Sequence, residues 1–158
     1  MTLFFCFNVL AENLPGIYEF VTFCPQVRQA CGVILDQKPT SPADAPEYRA
    51  TIWKDNLSNS KIVEISTSKF RHIDRTFHTL HLWKQMQEGP YVVNKLPTNE
   101  RMLYFNAKSE SGQHHLVISR YSRNLSRLEK VILDWENFLK AQVMKINTSE
   151  FKQGFPKN

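Results

Sequence analysis

Between Leu125 and Ile146 the chain places Leu125, Leu128, Val131, Ile132, Trp135, Phe138, Leu139, Val143 and Ile146 at spacings of three and four. At 100° per residue these side chains fall within an arc of roughly 140°, the mark of a helix with one apolar face. Such a helix, over about 125–146, is about 33 Å long. Its apolar face must be covered by a sheet or by a partner. Its entrance is also legible, because Ser126 and Glu129 fit the S-x-x-E capping box, with Asn124 as the alternative N-cap.

The rest of the chain must supply what this helix packs on, and most of it alternates as strands do. "IYEFVTF" and "ACGVILDQ" are rich in β-branched and aromatic residues. "YRATIWKD" and "SKIVEISTS" flank the polar "NLSNS", predicting a hairpin with a loop of about five residues. "RMLYFNAKS" and "HHLVISRY" flank "ESGQ" and predict a second hairpin, with Gly112 free to take a positive φ. Between the hairpins Phe70, Ile73, Phe77 and Leu80 recur at helical spacing before Gly89-Pro90, predicting a middle helix over about 69–87. The expected fold is α+β, a mostly antiparallel sheet with two helices packed on it.

A chain of 158 residues with 42% hydrophobic and 22% charged residues has the size and composition of one ordinary domain. We expect that domain over residues 1–146, with an acidic subregion at 1–37, an exposed Pro-rich loop at 38–46 ("KPTSPADAP") and a flexible tail at 147–158. The opening "MTLFFCFNVL" is too short to span a bilayer, carries no Lys or Arg and meets Glu12 without a small-residue cleavage site. It reads as a buried strand, and no transmembrane segment is expected. Cys6, Cys24 and Cys31 are odd in number and lack CxxC spacing, so they read as small buried hydrophobes in a reducing, intracellular compartment, cytoplasmic or nuclear.

The motifs narrow the chemistry mainly by exclusion. The five glycines are scattered, so neither GxGxxG nor GxxxxGK[ST] occurs, and there is no GxSxG or HExxH. Histidine is the one enzymatic temptation: His78 and His81 form H-x-x-H, His114 and His115 are adjacent, and His72 stands near Asp74. Adjacent strand residues point to opposite faces, so only one of His114 and His115 could join a given metal site. We expect no catalytic residue, no metal and no cofactor.

Charge is distributed unevenly. Residues 1–47 carry a net −3 and residues 48–158 a net +8 within the total of +5. Two clusters concentrate the cations. Arg71 and Arg75 would share the outer stripe of the middle helix, with His78 beyond them. In "SRYSRNLSRLEK", Arg120, Arg123, Arg127 and Lys130 surround Tyr121 where the alternating pattern becomes helical. Arginine grips phosphate with a planar fork, and the free N–H groups of a helix start add to the attraction. Cations there also oppose the helix macrodipole by a few tenths of a kcal/mol, a cost that hints at use.

Bases stack on aromatic rings while phosphates meet cations. Tyr121, and Trp53, Tyr104 and Phe105 if exposed on the sheet, would therefore suit single-stranded nucleic acid. The site residues expected for such a non-enzymatic module are Arg71, Arg75, Arg120, Tyr121, Arg123, Arg127 and Lys130. The alternative is a protein-interaction or structural domain, with a partner or a second copy held by the C-terminal helix or a sheet edge. A hairpin followed by a helix carrying Trp135 resembles the end of a pleckstrin-homology-type domain, which would imply an anionic-lipid or protein partner. "ISRYS" resembles the basic strand end of phox-homology domains, without their Pro-rich loop or "RRYSDF" continuation. Each likeness covers no more than about 30 residues, and fold analogy alone carries no function.

Overall fold

The computed structural model describes residues 15–24, 28–54, 56–89 and 97–143. Four strands come first: β1 (Ile17–Cys24), β2 (Gln29–Gln37), β3 (Tyr48–Lys54) and β4 (Asn56–Ile65). Helix α1 (Thr67–Thr79), a 3-10 turn (Leu82–Gln85) and the short β5 (Gln87–Glu88) carry the chain across. Strands β6 (Met102–Ser109) and β7 (Gly112–Ser119) and helix α2 (Arg127–Val143) complete it. The α+β expectation is met by a seven-stranded sheet in the order β4-β3-β2-β1-β6-β7-β5, antiparallel at every pairing. The expected opening strand, Cys6, the end of the C-terminal helix beyond Val143 and the tail lie outside the described residues.

Both helices cover the same face of the sheet. Strand side chains alternate between faces, so the registers line up Val63, Ala50, Leu35, Tyr18, Ala107 and His114 in one row across the sheet. On that side Tyr18, Phe20, Leu35, Phe105 and Ile118 form one core with Phe70, Ile73 and Phe77 of α1 and Leu128, Ile132, Trp135 and Leu139 of α2. Aromatic rings carry much of the contact: Tyr48 stacks on Phe70 at 4.1 Å, Phe77 meets Tyr18 edge-on at 5.2 Å, and Trp135 lies 6.1 Å from Phe105. Ile132 is fully buried, and truncating it to Ala would cost about 2–5 kcal/mol. The capping box forms as its pattern predicts, with Ser126 Oγ accepting from Glu129 N–H at 3.2 Å and Glu129 Oε2 accepting from Ser126 N–H at 2.6 Å.

Tyr18, at the centre of the core, keeps a polar tip. Its hydroxyl donates to Asp74 Oδ1 of α1 at 2.6 Å, and Gly16 N–H donates to the same oxygen at 2.9 Å. Burial, followed by the neighbouring carboxylate, pushes the phenol well above its ordinary range.

The other face has no described helix over it. It is charged at one end, where Glu64, Arg49 and Asp36 alternate across neighbouring strands and Arg49 grips Asp36 at 2.7 and 2.9 Å. That grip holds the guanidinium above its ordinary pKa. Lys38 bonds Glu47 at 2.8 Å and Glu64 at 2.7 Å, which raises the ammonium and lowers the Glu64 carboxyl. Toward the other end the face turns apolar, with Val21, Ala30, Trp53 and Tyr104 clustered. Trp53 lies directly over Gly32, where a Cβ would come 2.5 Å from the indole ring.

Two local expectations are corrected. The middle helix ends at Thr79, short of 87, because His81 takes a left-handed conformation (φ 49°) that breaks the helix. The break turns Leu82 and Met86 into the core and delivers Gln87–Glu88 to the β7 edge. The five-residue loop at "NLSNS" is absent: β4 starts at Asn56, and the irregularity is absorbed as a bulge between Trp53 and Lys54. The loop 38–46 joins β2 to β3 within one sheet. In the second hairpin Gly112 does take a positive φ, 107°.

Candidate functional site

Strand β7 stops at Ser119, and the next seven residues turn the chain from sheet to the helix that starts at Arg127. Arg120 N–H bonds Arg101 O at 2.8 Å, Ser122 N–H bonds Ser119 O at 3.1 Å, and Asn124 N–H bonds Ser122 Oγ at 3.3 Å. The turn gives the four cations of "SRYSRNLSRLEK" different fates. Arg120 points inward, its guanidinium bonded through both terminal nitrogens to both carboxylate oxygens of Glu136 and through Nη2 to Thr22 Oγ1 at 2.8 Å. It is therefore not part of the exposed cluster in which it was expected. Arg123, Arg127 and Lys130 are exposed, and Tyr121 is 68% exposed.

Tyr121 stands on the rim of an open cleft of about 940 Å³ lined also by Phe23, Asn99, Arg101, Ser119 and Ser122. The register explains its position. Phe23 and Ser119 lie on the helix-free face at the apolar end of the sheet, beside Ala30 and Met102 respectively. The loop before β6 closes the far wall, where Asn99 Oδ1 accepts from Arg101 N–H at 3.0 Å. That bond leaves the carboxamide N–H groups of Asn99 as donors. The cleft thus combines two aromatic rings, one exposed arginine, the carboxylate of Glu100 and several short polar side chains, so its excess of positive charge comes from Arg123, Arg127 and Lys130 farther along the chain.

Arg71 and Arg75 are exposed one turn apart on α1, a second basic patch on a different helix. The expected sheet aromatics are not a stacking platform. Phe105 is fully buried under the helices, and Trp53 (6%) and Tyr104 (9%) are packed into the apolar cluster of the other face. Arg101, Phe23 and Asn99 escaped sequence reasoning because they are far from the 119–130 stretch in the chain and none sits in a motif.

Three of the histidines have defined neighbours in the fold. His78 Nε2 is 3.6 Å from Asp74, His81 packs edge-on against Trp83, and the His115 ring pairs with Gly89 O at 2.9 Å. Among the described residues no three of His, Cys, Asp and Glu stand close enough to hold a metal ion. No described helix is long and apolar enough to cross a membrane. The reading of Cys24 and Cys31 as unpaired hydrophobes is corrected: they form a disulfide across the β1–β2 hairpin. The pairing of Thr22 with Cys31 and Cys24 with Gln29 puts both cysteines on one face, two positions offset, with Cα atoms 5.8 Å apart. Their spacing signals this only once the hairpin register is known.

No protein-family model, no curated protein and no solved structure matches the chain.

Proposed function

We propose that the chain is a non-enzymatic binding module for single-stranded nucleic acid, RNA or DNA, that uses the cleft beside Tyr121. The observation that carries this is an aromatic ring 68% exposed on a cleft that also holds Arg101 and Phe23, with Arg123, Arg127 and Lys130 exposed beyond it. A base stacks on Tyr121, the arginines meet the phosphates on either side, and the short polar groups bond base edges. A duplex hides its base faces, so a stacking tyrosine favours single strands. Arg71 and Arg75 add long-range attraction for the same polyanion.

The test is fluorescence anisotropy of the purified protein with labelled single- and double-stranded DNA and RNA at about 50 and 200 mM salt. Saturable binding of single strands that weakens steeply with salt is expected. An absence of binding at the lower salt overturns the proposal.

One observation favours a second reading, a protein-interaction domain. Strand β4 forms one edge of the described sheet, with Ile62 57% exposed along it. An extended segment of a partner, or a second copy, would add a strand there. Sedimentation equilibrium over a hundredfold concentration range tests self-association, and a strict monomer removes the second copy.

A further inference from the structure

A carboxylate in the middle of α2 would ordinarily face water, yet the Glu136 side chain is only 4% exposed. A buried charge is tolerated when it is paired, and Arg120 meets both oxygens of Glu136 while a second Nη2 N–H reaches Thr22. The backbone of Arg120 bonds Arg101, and the next residue is Tyr121. One residue therefore joins the end of β7 to α2 and β1 through its side chain and to the segment before β6 through its backbone. A well-packed apolar pair of similar volume is commonly as stable as a buried ion pair or more so. What an apolar pair lacks is direction, because the planar, two-pronged bond sets the orientation of the guanidinium and of the backbone that carries it.

We propose that Arg120 and Glu136 are positioning residues for the binding site: they hold the 119–123 turn so that Tyr121 and Arg101 both line the cleft before the ligand arrives. This rests on the reading of the cleft as a nucleic-acid site. Arg120 makes no phosphate contact, and its contribution is preorganisation, which reduces the ordering cost of binding.

The test is the double variant Arg120→Met with Glu136→Leu, studied by denaturation, by amide hydrogen exchange and by anisotropy with a labelled single-stranded oligonucleotide. The variant is expected to keep or exceed wild-type stability and to exchange the 119–123 amides faster. Its affinity is expected to fall by about five- to tenfold with the salt slope unchanged. Wild-type affinity and exchange in a stable double variant would overturn the proposal by making the pair merely structural. A slope smaller by about one would overturn it by making Arg120 a phosphate contact. If the wild-type protein binds no nucleic acid, the function falls while the exchange data still decide the positioning role. If the double variant does not fold, Thr22→Val removes the third bond, together with the long 3.5 Å bond that the Thr22 hydroxyl donates to Met102 O, and is expected to accelerate the same amides by a smaller factor. Unchanged exchange in that variant counts against the proposal.

Discussion

Tyr18 and Asp74, 56 residues apart in sequence, are joined by a 2.6 Å hydrogen bond that fastens the central strand to α1. The phenol donates and the carboxylate accepts, with Gly16 N–H sharing the same oxygen. A charged acceptor is why a fully buried Tyr is stable here, since an unpaired hydroxyl in that position would cost about 1–3 kcal/mol.

Burial of the phenol, reinforced by the Asp74 carboxylate, makes stability fall in alkali. Because the folded phenol titrates above its ordinary value of 10.0, the unfolded chain loses the proton first as pH rises. The contribution is fully present below pH 10 and is lost progressively above it. Tyr18→Phe should cost about 1–2 kcal/mol at neutral pH and should flatten the decline above pH 10. Urea titrations at neutral pH and above pH 10 check both, and an equally steep decline in the variant would assign it to other groups.

Gly32 is constrained by its neighbour rather than by its own backbone. A Cβ there would come 2.5 Å from the Trp53 indole, so Gly32→Ala must displace the ring. We expect a loss of about 1–3 kcal/mol and a shift in tryptophan emission. Unchanged stability and emission would show that the ring relocates freely.

Tyr121 can be removed without touching the core. Tyr121→Ala should leave the denaturation midpoint within about 0.5 kcal/mol of wild type and weaken single-strand binding by about 1–3 kcal/mol, or roughly ten- to a hundredfold. Tyr121→Phe should bind nearly as well as wild type, since stacking uses the ring. Anisotropy with all three proteins checks this, and full affinity in the Ala variant places the ligand elsewhere.

The Cys24–Cys31 bridge closes a short loop at the sheet end next to Phe23. Replacing both cysteines with Ser should cost about 2–3 kcal/mol, the chain-entropy value for a loop of this size. Reduction of the wild-type protein should lower the thermal midpoint similarly. A midpoint insensitive to dithiothreitol would mean that the bridge adds nothing to stability.

The candidate site was half legible in the sequence. The concentration of arginines around Tyr121 marks the turn that borders the cleft, because charge density is a local property of the chain. Which arginine faces inward is not local: Arg120 differs from Arg123 only because Glu136 and Thr22 converge on it from other elements. The same limit hid Phe23, which β1 carries to the cleft, and Arg101, whose carbonyl is bonded by the Arg120 N–H.

The sequence by itself determined the elements whose patterns are local. The apolar arc and capping box of α2, the alternation of β1, β2, β6 and β7, and the Gly112 turn follow from side-chain period and backbone sterics within a few residues. Tertiary structure alone decided that both helices cover one face, that Trp53 and Tyr104 pack into the other, and that His81 breaks the middle helix so that Leu82 reaches the core. These outcomes depend on burial shared between residues far apart in the chain. A window of sequence shows that a residue is apolar, but only the assembled sheet shows which neighbour removes it from water.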